Sequence, residues 1–375
     1  MSRLPTVLGF GTYDKRKHPR VGILLDGLRA HGCDIEEINA PLDLSTAQRV
    51  EILKKPWKLF GFALRILRLW KGLVTEAHKW IRENGAPDAV VVGYMGHFDV
   101  LLARHVFRGT PIILDHLIFA ADTAKDRGAQ GIKVRALSIL DKKAINAADL
   151  ILLDTDEHQA MLPAERIKDS LVIPVGASLE WYQAGKSARG RTGDVIFFGL
   201  FTPLQGTPVI ANAIKELFHR GRKMRITFVG TGQDYPEVRS LLNEVDGVTF
   251  LDWVEPENLP WTVAEHAISL GIFSTTPKGL RVVPNKVYQS LAAGCAVITS
   301  DTPPQRRMLG DGVIYVRPGD SAALADMIDA LLSDEGTLRA SRDKATRASA
   351  SFTPSEIVTP LYARLMDVKG VVPTN

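Results

Sequence analysis

The 375-residue sequence has little cysteine and lacks long apolar runs. Its two cysteines, Cys33 and Cys295, lie far apart, and neither belongs to a C-x-x-C pair. This argues against a disulfide framework and against a cysteine-based metal site, and it favours a reducing compartment. No window approaches the ~20 consecutive apolar residues that a membrane-spanning helix needs. The first residues lead into a predicted strand without a segment typical of a signal peptide. We therefore expect a cytoplasmic protein.

The composition that remains is typical of a folded, soluble chain. Hydrophobic residues make up 45% and charged residues 23% of the sequence, and its length suffices for two domains with separate cores. Disorder is excluded on these grounds.

Short apolar runs alternate with amphipathic stretches throughout the chain, a pattern typical of parallel sheets covered by helices. The predicted strands of the first half are Thr6–Phe10, Cys33–Ile38, Ala89–Val92, Pro111–Leu114, Asp149–Leu153 and Leu171–Ile173. Those of the second half are Asp194–Phe198, Met224–Val229, Val248–Leu251, Ala267–Gly271, Cys295–Thr299 and Val313–Val316. These two series predict an α/β protein with two doubly wound parallel sheets. Residues 174–193, rich in Gly, Ser and Arg, are predicted to form an exposed linker, with the domain boundary near residue 185.

One segment near the C-terminus combines the features of an anion site. Pro284-Asn285 predicts a helix entry with Asn285 as the N-cap, and the helix continues to Ala293, before Gly294. The free N–H groups at this helix start, together with Arg281 and Lys286, suit a diphosphate.

This segment resembles the C-terminal signature of the two-domain GT-B glycosyltransferases, particularly the family-four group (glycosyl transferases group 1) and the enzymes of bacterial cell-surface polysaccharides. In that family a Glu-x7-Glu pair brackets the donor. Here Arg281 and Gln289 stand at the two glutamate positions. A Gln amide can still bond to ribose hydroxyls, whereas an Arg suits a phosphate or an acidic sugar.

The resemblance implies two Rossmann-like domains that face a cleft, an acceptor-binding domain at residues 1–184 and a nucleotide-sugar domain at 185–354. A C-terminal helix within 355–375 is expected to pack back on the first domain. Relatives carry an Arg and a Lys in the loop after the first strand of the second domain, but Leu200 and Gln205 occupy those positions. We therefore expect Lys278, Arg281 and Lys286 to neutralise the negative charge of the donor phosphates.

The resemblance also predicts the donor-binding residues. Relatives receive the nucleobase in the loop at Trp253 and Val254, although Trp253 could instead pack in the core. The predicted donor site consists of Gly199, Gly206, Gly230, Trp253, Val254, Lys278, Arg281, Asn285, Lys286 and Gln289.

Candidate acceptor-side residues end two strands of the first half. Asp115 and His116 follow the fourth predicted strand, and because relatives have a His after the corresponding strand, the resemblance implies that they are, with Arg281, the catalytic residues. His97 and Asp99 are the alternative pair for this role.

Three further features of the first half bear on the acceptor. The glycine loop Gly9–Tyr13 resembles a family loop near the site of reaction, and the basic cluster Asp14–Arg20 either binds an acceptor phosphate or is a solvated loop. Asp122 and Arg127 lie in a stretch that resembles a D-x-x-x-DR region of relatives.

The segment 49–75 is basic, and as a helix its apolar residues would cover more than half of the circumference. The segment contains seven cations and one anion, Glu51. Trp57 and Trp70 are candidate anchors at a membrane interface. The cations are Arg49, Lys54, Lys55, Lys58, Arg65, Arg68 and Lys71. This segment predicts contact with an anionic membrane surface. The alternative is a core helix with a basic outer face.

Together these features predict a glycosyltransferase that moves a sugar from a nucleoside diphosphate donor to a glycan or polyprenyl-linked acceptor in cell-envelope polysaccharide biosynthesis. We expect metal-independent transfer, no cofactor other than the donor substrate, no nucleic-acid partner, and a peripheral position on the inner face of the plasma membrane. A GT-B-like sugar-nucleotide epimerase and a non-catalytic nucleotide-sugar-binding protein are the alternatives.

Overall fold

The computed structural model describes residues 4–16, 18–42, 58–126, 128–188 and 190–368, with the backbone alone at residues 58, 59 and 368. The chain divides into two compact units. The first contains the described residues up to Leu153, His158–Ile173, and those from Val358 onward. The second contains Asp154–Glu157 and Pro174–Ile357.

The first unit is built on a parallel sheet. Its strands are β1 (Thr6–Gly11), β2 (Asp34–Asn39), β3 (Ala89–Val92), β4 (Ile112–Asp115), β5 (Leu150–Leu153) and β6 (Ser170–Val172). They pair in the order β2-β1-β3-β4-β5-β6. In register, Val7 of β1 lies between Ile35 and Ala89. The inner strands β3 and β5 are entirely apolar and buried, as expected for parallel strands covered on both faces.

Helices connect these strands and return the chain to the start of the next one. They are α1 (Arg20–Ala30), α2 (Lys58–Asn84), α3 (Asp99–Val106), α4 (Ala120–Asp126) and α5 (Ile132–Ala147), followed by the short α6 (Asp156–Gln159). Leu73 of α2, Val100 of α3 and Ala144 of α5 join one apolar cluster with alternate residues of the strands. The three helices therefore cover the same face of the sheet, and each begins at its carboxyl edge.

The second unit repeats this architecture. Its strands are β7 (Gly193–Phe198), β8 (Ile226–Val229), β9 (Val248–Leu251), β10 (His266–Leu270), β11 (Ala296–Ser300) and β12 (Ile314–Val316). They pair in parallel in the order β12-β11-β10-β7-β8-β9. The strand order reverses between β7 and β10, which is the point where open α/β sheets bind their ligands.

The helices of the second unit alternate with these strands. They are α7 (Leu179–Ser187), α8 (Thr207–His219), α9 (Tyr235–Leu241), α10 (Leu259–Ala264), α11 (Asn285–Ala292), α12 (Pro303–Leu309), α13 (Ser321–Ser333) and α14 (Glu335–Ser349). The last helix, α15 (Pro354–Val368), enters the first unit at Val358. The core of this unit is a cluster rich in phenylalanine, in which Phe201 packs edge-on against Phe197.

Two details of the expected domain organisation differ from the observed one. The main chain passes into the second unit at Pro174, eleven residues before the expected boundary at residue 185. The expectation of an exposed linker at 174–193 is wrong in part, because α7 forms there. Trp181 and Ala184 of this helix are buried, and the Trp181 ring stacks on Phe198 with 5.6 Å between centroids.

Among the described residues, none of the helices combines the length and the apolar character needed to cross a membrane.

Candidate active site

Glycine turns bring two loops of the second unit together at the end of β7. Gly199 follows β7 with a φ of 126°, a left-handed conformation that favours glycine. A Cβ atom there would lie 3.2 Å from the Nζ atom of Lys286. Gly230 follows β8 with a φ of 115°, and a Cβ atom on it would clash with the carbonyl oxygen of Gly199. Glycine at both positions lets the two loops and the lysine side chain lie this close.

The start of α8 belongs to the same region. Gly206 takes the N-cap position in a left-handed conformation, and a Cβ atom on it would lie 2.6 Å from the backbone carbon of Phe273. Thr207 follows, fully buried, and its hydroxyl has no hydrogen-bond partner among the described residues. The first turn of α8 offers few backbone donors, because Pro208 lacks an N–H group and the N–H of Val209 donates to the carbonyl of Gly206 at 3.0 Å. Sequence reasoning identified Gly206 but missed Thr207, which follows it directly.

Lys286 is the cation nearest to this turn. Its side chain is buried, its Nζ lacks a hydrogen-bond partner among the described residues, and it lies 3.6 Å from the centroid of the Phe197 ring. Burial lowers the pKa of this amine well below its ordinary value. An unpaired buried amine is costly for the fold, and an oxyanion that entered beside Gly199 would pair with it.

The other predicted donor residues surround the start of α11. Arg281 ends a short 3-10 turn, where its Nε donates to the carbonyl of Pro277 at 3.0 Å and its own carbonyl accepts from the Thr155 hydroxyl at 3.1 Å. Lys278 and Gln289 are half-buried. The predicted N-cap is displaced by one residue, because extended Pro284 holds that position and Asn285 is the first helical residue.

Trp253 lies in the loop after β9 and is 65% exposed. Its indole N–H donates to the carboxylate of Glu255 at 3.1 Å, and Val254 beside it is half-buried. The core-packing alternative for Trp253 is therefore wrong. An exposed aromatic ring in this loop is available for contact with a ligand, and its role in holding the nucleobase stays a prediction.

In the first unit, Asp115 is held by a buried ion pair. The Nε of Arg20, the first residue of α1, donates to Oδ1 of Asp115 at 2.7 Å, and each side chain is at most 1% exposed. A carboxylate fixed on a buried guanidinium is poorly suited to take a proton from a substrate. The geometry does not support the predicted base role of Asp115, and sequence reasoning missed Arg20 as its partner.

His116 lies beside this pair in a buried cluster. Its ring is 2% exposed, and its Nε2 has no partner among the described residues. The rings of His97 and Phe119 pack on it edge-on, with centroids at 5.1 and 4.6 Å. Burial, and then the neighbouring His97, lower the pKa of His116 to about 3. The imidazole is therefore neutral near pH 7 and can donate or accept one hydrogen bond.

Asp141 of α5 anchors His97 in this cluster. The Nε2 of His97 donates to Oδ1 of Asp141 at 2.9 Å, and the backbone N–H groups of Ala120 and Ala121 donate to the same carboxylate. Burial acts to raise the pKa of Asp141, but these hydrogen bonds outweigh it and hold the pKa below its ordinary value. Sequence reasoning missed this residue, although an acid on the buried face of an amphipathic helix is a usable signal.

One group of described residues has the composition of a metal site. Ligand atoms of His97, His116 and Asp141 all lie within 4.8 Å of one another, although Asp141 already accepts three hydrogen bonds. The sequence also contains an Asp-x-Asp spacing at Asp154-Thr155-Asp156, which the expectation of metal-independent transfer overlooked. Asp154 is buried, and Asp156 pairs with Arg307 at 3.0 Å. Metal independence therefore stays a prediction.

Asp99, the alternative to Asp115, accepts hydrogen bonds from two other elements of the first unit. Its Oδ2 accepts from the backbone N–H of Thr12 at 2.7 Å and from the Thr12 hydroxyl at 2.8 Å. Its Oδ1 accepts from the indole of Trp70 at 3.0 Å. Asp99 thus fixes the glycine loop after β1 and ties α2 to the start of α3, a structural role.

The basic cluster at 14–20 contains paired cations, and its Lys17 lies outside the described residues. Lys15 bonds to Glu37 at 2.7 Å, and Arg20 is the buried partner of Asp115. These pairs favour the reading of a structural loop over that of a phosphate site. Asp122 is half-buried on α4, and Arg127 lies outside the described residues.

The chain is similar in sequence to known glycosyltransferases. Residues 192–334 match the model of the family described as glycosyl transferases group 1. The D-inositol 3-phosphate glycosyltransferase of Nocardia farcinica is 29% identical over 237 residues, which cover 57% of this chain and 51% of that protein. The phosphatidyl-myo-inositol mannosyltransferase of Mycobacterium leprae is 29% identical over 176 residues, 44% of this chain and 45% of that protein. The chain thus matches about half the length of these curated relatives.

The fold extends over more of the chain than the sequence match. A crystal structure of Anabaena HepE in complex with UDP-glucose superposes with a TM-score of 0.65 at 14% identity and covers 98% of this chain and all of that one. The predicted GT-B fold class, with two Rossmann-like parallel-sheet units, is confirmed. So is the resemblance to group 1 glycosyltransferases, which the family match carries over residues 192–334.

Proposed function

We propose that this protein is a glycosyltransferase that takes a hexosyl group from a nucleoside diphosphate-sugar. The observation that carries the proposal is the buried, unpartnered amine of Lys286 against the Gly199 turn, at the point where the strand order of the second sheet reverses. Anabaena HepE, a structural neighbour, binds UDP-glucose, which makes UDP-sugars the first donors to test.

The proposed donor chemistry is charge stabilisation at the diphosphate. Glycosyl transfer leaves a nucleoside diphosphate with growing negative charge, and preorganised donors lower the barrier most when they already point at that charge. Lys286 supplies an amine that gains a hydrogen-bond partner when the diphosphate binds. The helix dipole at the start of α11 and the Arg281 guanidinium add to the same field.

We assign the acceptor side to the first unit, with His116 as the residue that contacts a substrate hydroxyl. Its Nε2 is a polar atom of the buried cluster without a partner among the described residues, and the neutral ring can orient a hydroxyl through a hydrogen bond. His97 and Asp141 would hold the ring in place through the edge-on contact and the hydrogen bond described above.

We further propose that the acceptor is a glycan or a lipid-linked sugar of cell-envelope polysaccharide assembly, reached from the inner face of the plasma membrane. The M. leprae relative is named for phosphatidyl-myo-inositol, a lipid acceptor. In α2, none of the described side chains from Phe60 to Leu69 is buried, and Phe60, Leu64 and Leu67 are 74%, 42% and 56% exposed. Such an apolar surface beside Arg65 and Arg68 suits an anionic membrane.

Core packing of α2 begins only further along the helix, at Leu73, Ala77 and Trp80. The core-helix alternative therefore describes the second half of α2 but not the first. Arg49, Lys54, Lys55 and Trp57 lie outside the described residues, as does the side chain of Lys58.

The direct test incubates purified protein with UDP-sugars and measures release of UDP with and without a lipid extract. Release that depends on the extract supports the transferase. Conversion of the donor to an isomer without release would instead show an epimerase, and tight donor binding without either reaction would show a non-catalytic binding protein.

A further inference from the structure

A second helix of the first unit repeats the surface pattern of α2. In α2, exposed Phe60, Leu64, Leu67 and Lys71 follow one another at spacings of four, three and four residues. In α5, exposed Ile132, Ala136, Ile139 and Lys143 follow one another at the same spacings. Because a helix turns about 100° per residue, each set forms one stripe along its helix.

The stripe of α5 has no function within the described fold of this unit. Ile132 is 88% exposed and Ile139 is 53% exposed, whereas the helix packs on the sheet through Ala144 and Ile145. From Gly131 to Leu140, none of the described residues is buried. Apolar side chains this exposed gain nothing from folding and are typical of surfaces that meet a partner.

The charges around the stripe indicate the chemistry of that partner. Lys133, Arg135 and Lys142 are exposed beside it, and Lys143 ends it. The sole acidic residue of α5, Asp141, is buried and hydrogen-bonded, so no negative charge on the helix opposes these cations. Exposed isoleucines with cations beside them are suited to an anionic bilayer, where the apolar side chains can insert among the acyl chains and the cations can contact the headgroups.

The two stripes lie at one edge of the sheet. Both α2 and α5 begin at its carboxyl edge and cover the same face, with α3 between them. The loop that leads into α3 exposes Met95 and Phe98, at 42% and 41%. Trp70 of α2 bonds to Asp99, the residue after Phe98, so this loop adjoins α2. Exposed apolar residues thus continue from α2 through the loop to α5.

We propose that the first half of α5, with Met95 and Phe98, forms a second membrane contact beside that of α2. This inference rests on the proposed function, in which α2 meets the membrane. Two separated contacts would fix the orientation of the first unit on the bilayer, whereas one helix alone leaves it free to rotate about that helix. The carboxyl edge of the sheet, where His116 lies, would then be held at the lipid surface.

The test labels single cysteines with an environment-sensitive fluorophore. Cys33 and Cys295 are buried, so Ala136→Cys in α5 and Leu64→Cys in α2 can be labelled selectively, and Ile167→Cys serves as an exposed control away from this edge. Each protein is mixed at low salt with vesicles of equal parts phosphatidylglycerol and phosphatidylcholine that carry a quencher in the acyl chains. We expect quenching at positions 64 and 136 and none at 167.

A second arm measures vesicle affinity. Replacing Lys133, Arg135, Lys142 and Lys143 with Gln should lower the partition coefficient at least tenfold, given the contribution of each basic residue near an anionic surface. Quenching at 64 but not at 136, with unchanged affinity of the Gln variant, would overturn the inference and leave the α2 contact standing. No quenching at either position would remove both. A label at 136 that is shielded without vesicles, with concentration-dependent self-association, would assign the stripe to a second copy of the chain.

Discussion

Lys286 is a lysine that the fold buries without pairing. Its amine faces the Phe197 ring and has no hydrogen-bond partner among the described residues, so it represents a stability cost that a ligand can recover. We predict that Lys286→Met, which keeps the length of the side chain, raises the free energy of unfolding by about 1–3 kcal/mol. Urea unfolding measures this change, and Lys215→Met on α8 is the control. A loss of stability in Lys286→Met would mean that the amine has a partner in the folded protein.

Asp115 and Arg20 form the opposite case, a pair in which each charge satisfies the other. We predict that Asp115→Asn destabilises the fold by about 3–5 kcal/mol, because it leaves the guanidinium buried without its counter-charge. The double variant Arg20→Met/Asp115→Leu should recover much of that loss. If Asp115→Asn instead kept full stability but lost turnover, the base role that we set aside would be restored.

His116 links stability to pH. Its folded-state pKa of about 3 lies below the unfolded value of 6.5, so the unfolded chain binds the extra proton between these two values. The free energy of unfolding should therefore fall as the pH drops from 6.5 towards 3, by at most about 1.4 kcal/mol per pH unit from this group. His116→Gln should flatten this slope and lower turnover by roughly 10²-fold, because it removes the group that positions the acceptor hydroxyl. Urea unfolding across this pH range, with exposed His219→Gln as the control, tests the slope. An unchanged slope together with normal turnover would remove His116 from the site.

For single residues, the sequence predicted the location correctly where the residue belongs to a recognisable motif. Gly199 and Gly206 lie in the loop after β7 and Lys286 lies in the first turn of α11, all in recognisable motif positions, and the structure brings Lys286 and Gly199 together. It failed where a partner comes from a distant element. Arg20 meets Asp115 across 95 positions of sequence, and only the order of the strands places the two side by side.

The helix α2 shows what periodicity can and cannot predict. Its apolar arc was wider than one sheet face buries, and the structure divides it into an exposed first half and a packed second half. Periodicity does not reveal this division, because it depends on where the sheet ends beneath the helix. The same reasoning overlooked α5, whose exposed stripe includes the small side chain of Ala136 between two isoleucines.

We predict that the membrane contact follows this division. Arg65 and Arg68 changed to Gln should release the protein from anionic vesicles, since each basic residue near such a surface contributes about 1 kcal/mol. The matched change of Lys79 and Arg82 in the packed half of the same helix should have little effect. Sedimentation with vesicles at low and high salt measures both variants. Equal release by the two would show a general charge effect rather than a contact by the first half of α2.

At the scale of the whole molecule, the alternation of strands and helices was sufficient to predict both sheets. Observed strand ends fall within two residues of the predicted ones, because short apolar runs between Gly-rich turns leave few alternatives in a parallel sheet. The boundary between the units was less predictable. The segment before β7 is polar enough to suggest a linker, yet Trp181 anchors it as a helix.

The proposed donor site requires that a diphosphate bind at Lys286. Burial lowers the pKa of this amine and a bound diphosphate should raise it, so UDP binding should be accompanied by proton uptake at pH values between the free and the bound pKa. Titration calorimetry in two buffers of different ionisation enthalpy measures this uptake directly. We predict an apparent enthalpy that changes with the buffer for the wild type, and for Lys286→Met an affinity weaker by about 1.5–3 kcal/mol with no buffer dependence. Equal UDP affinity in both proteins, with no proton taken up by either, would contradict the proposed donor site.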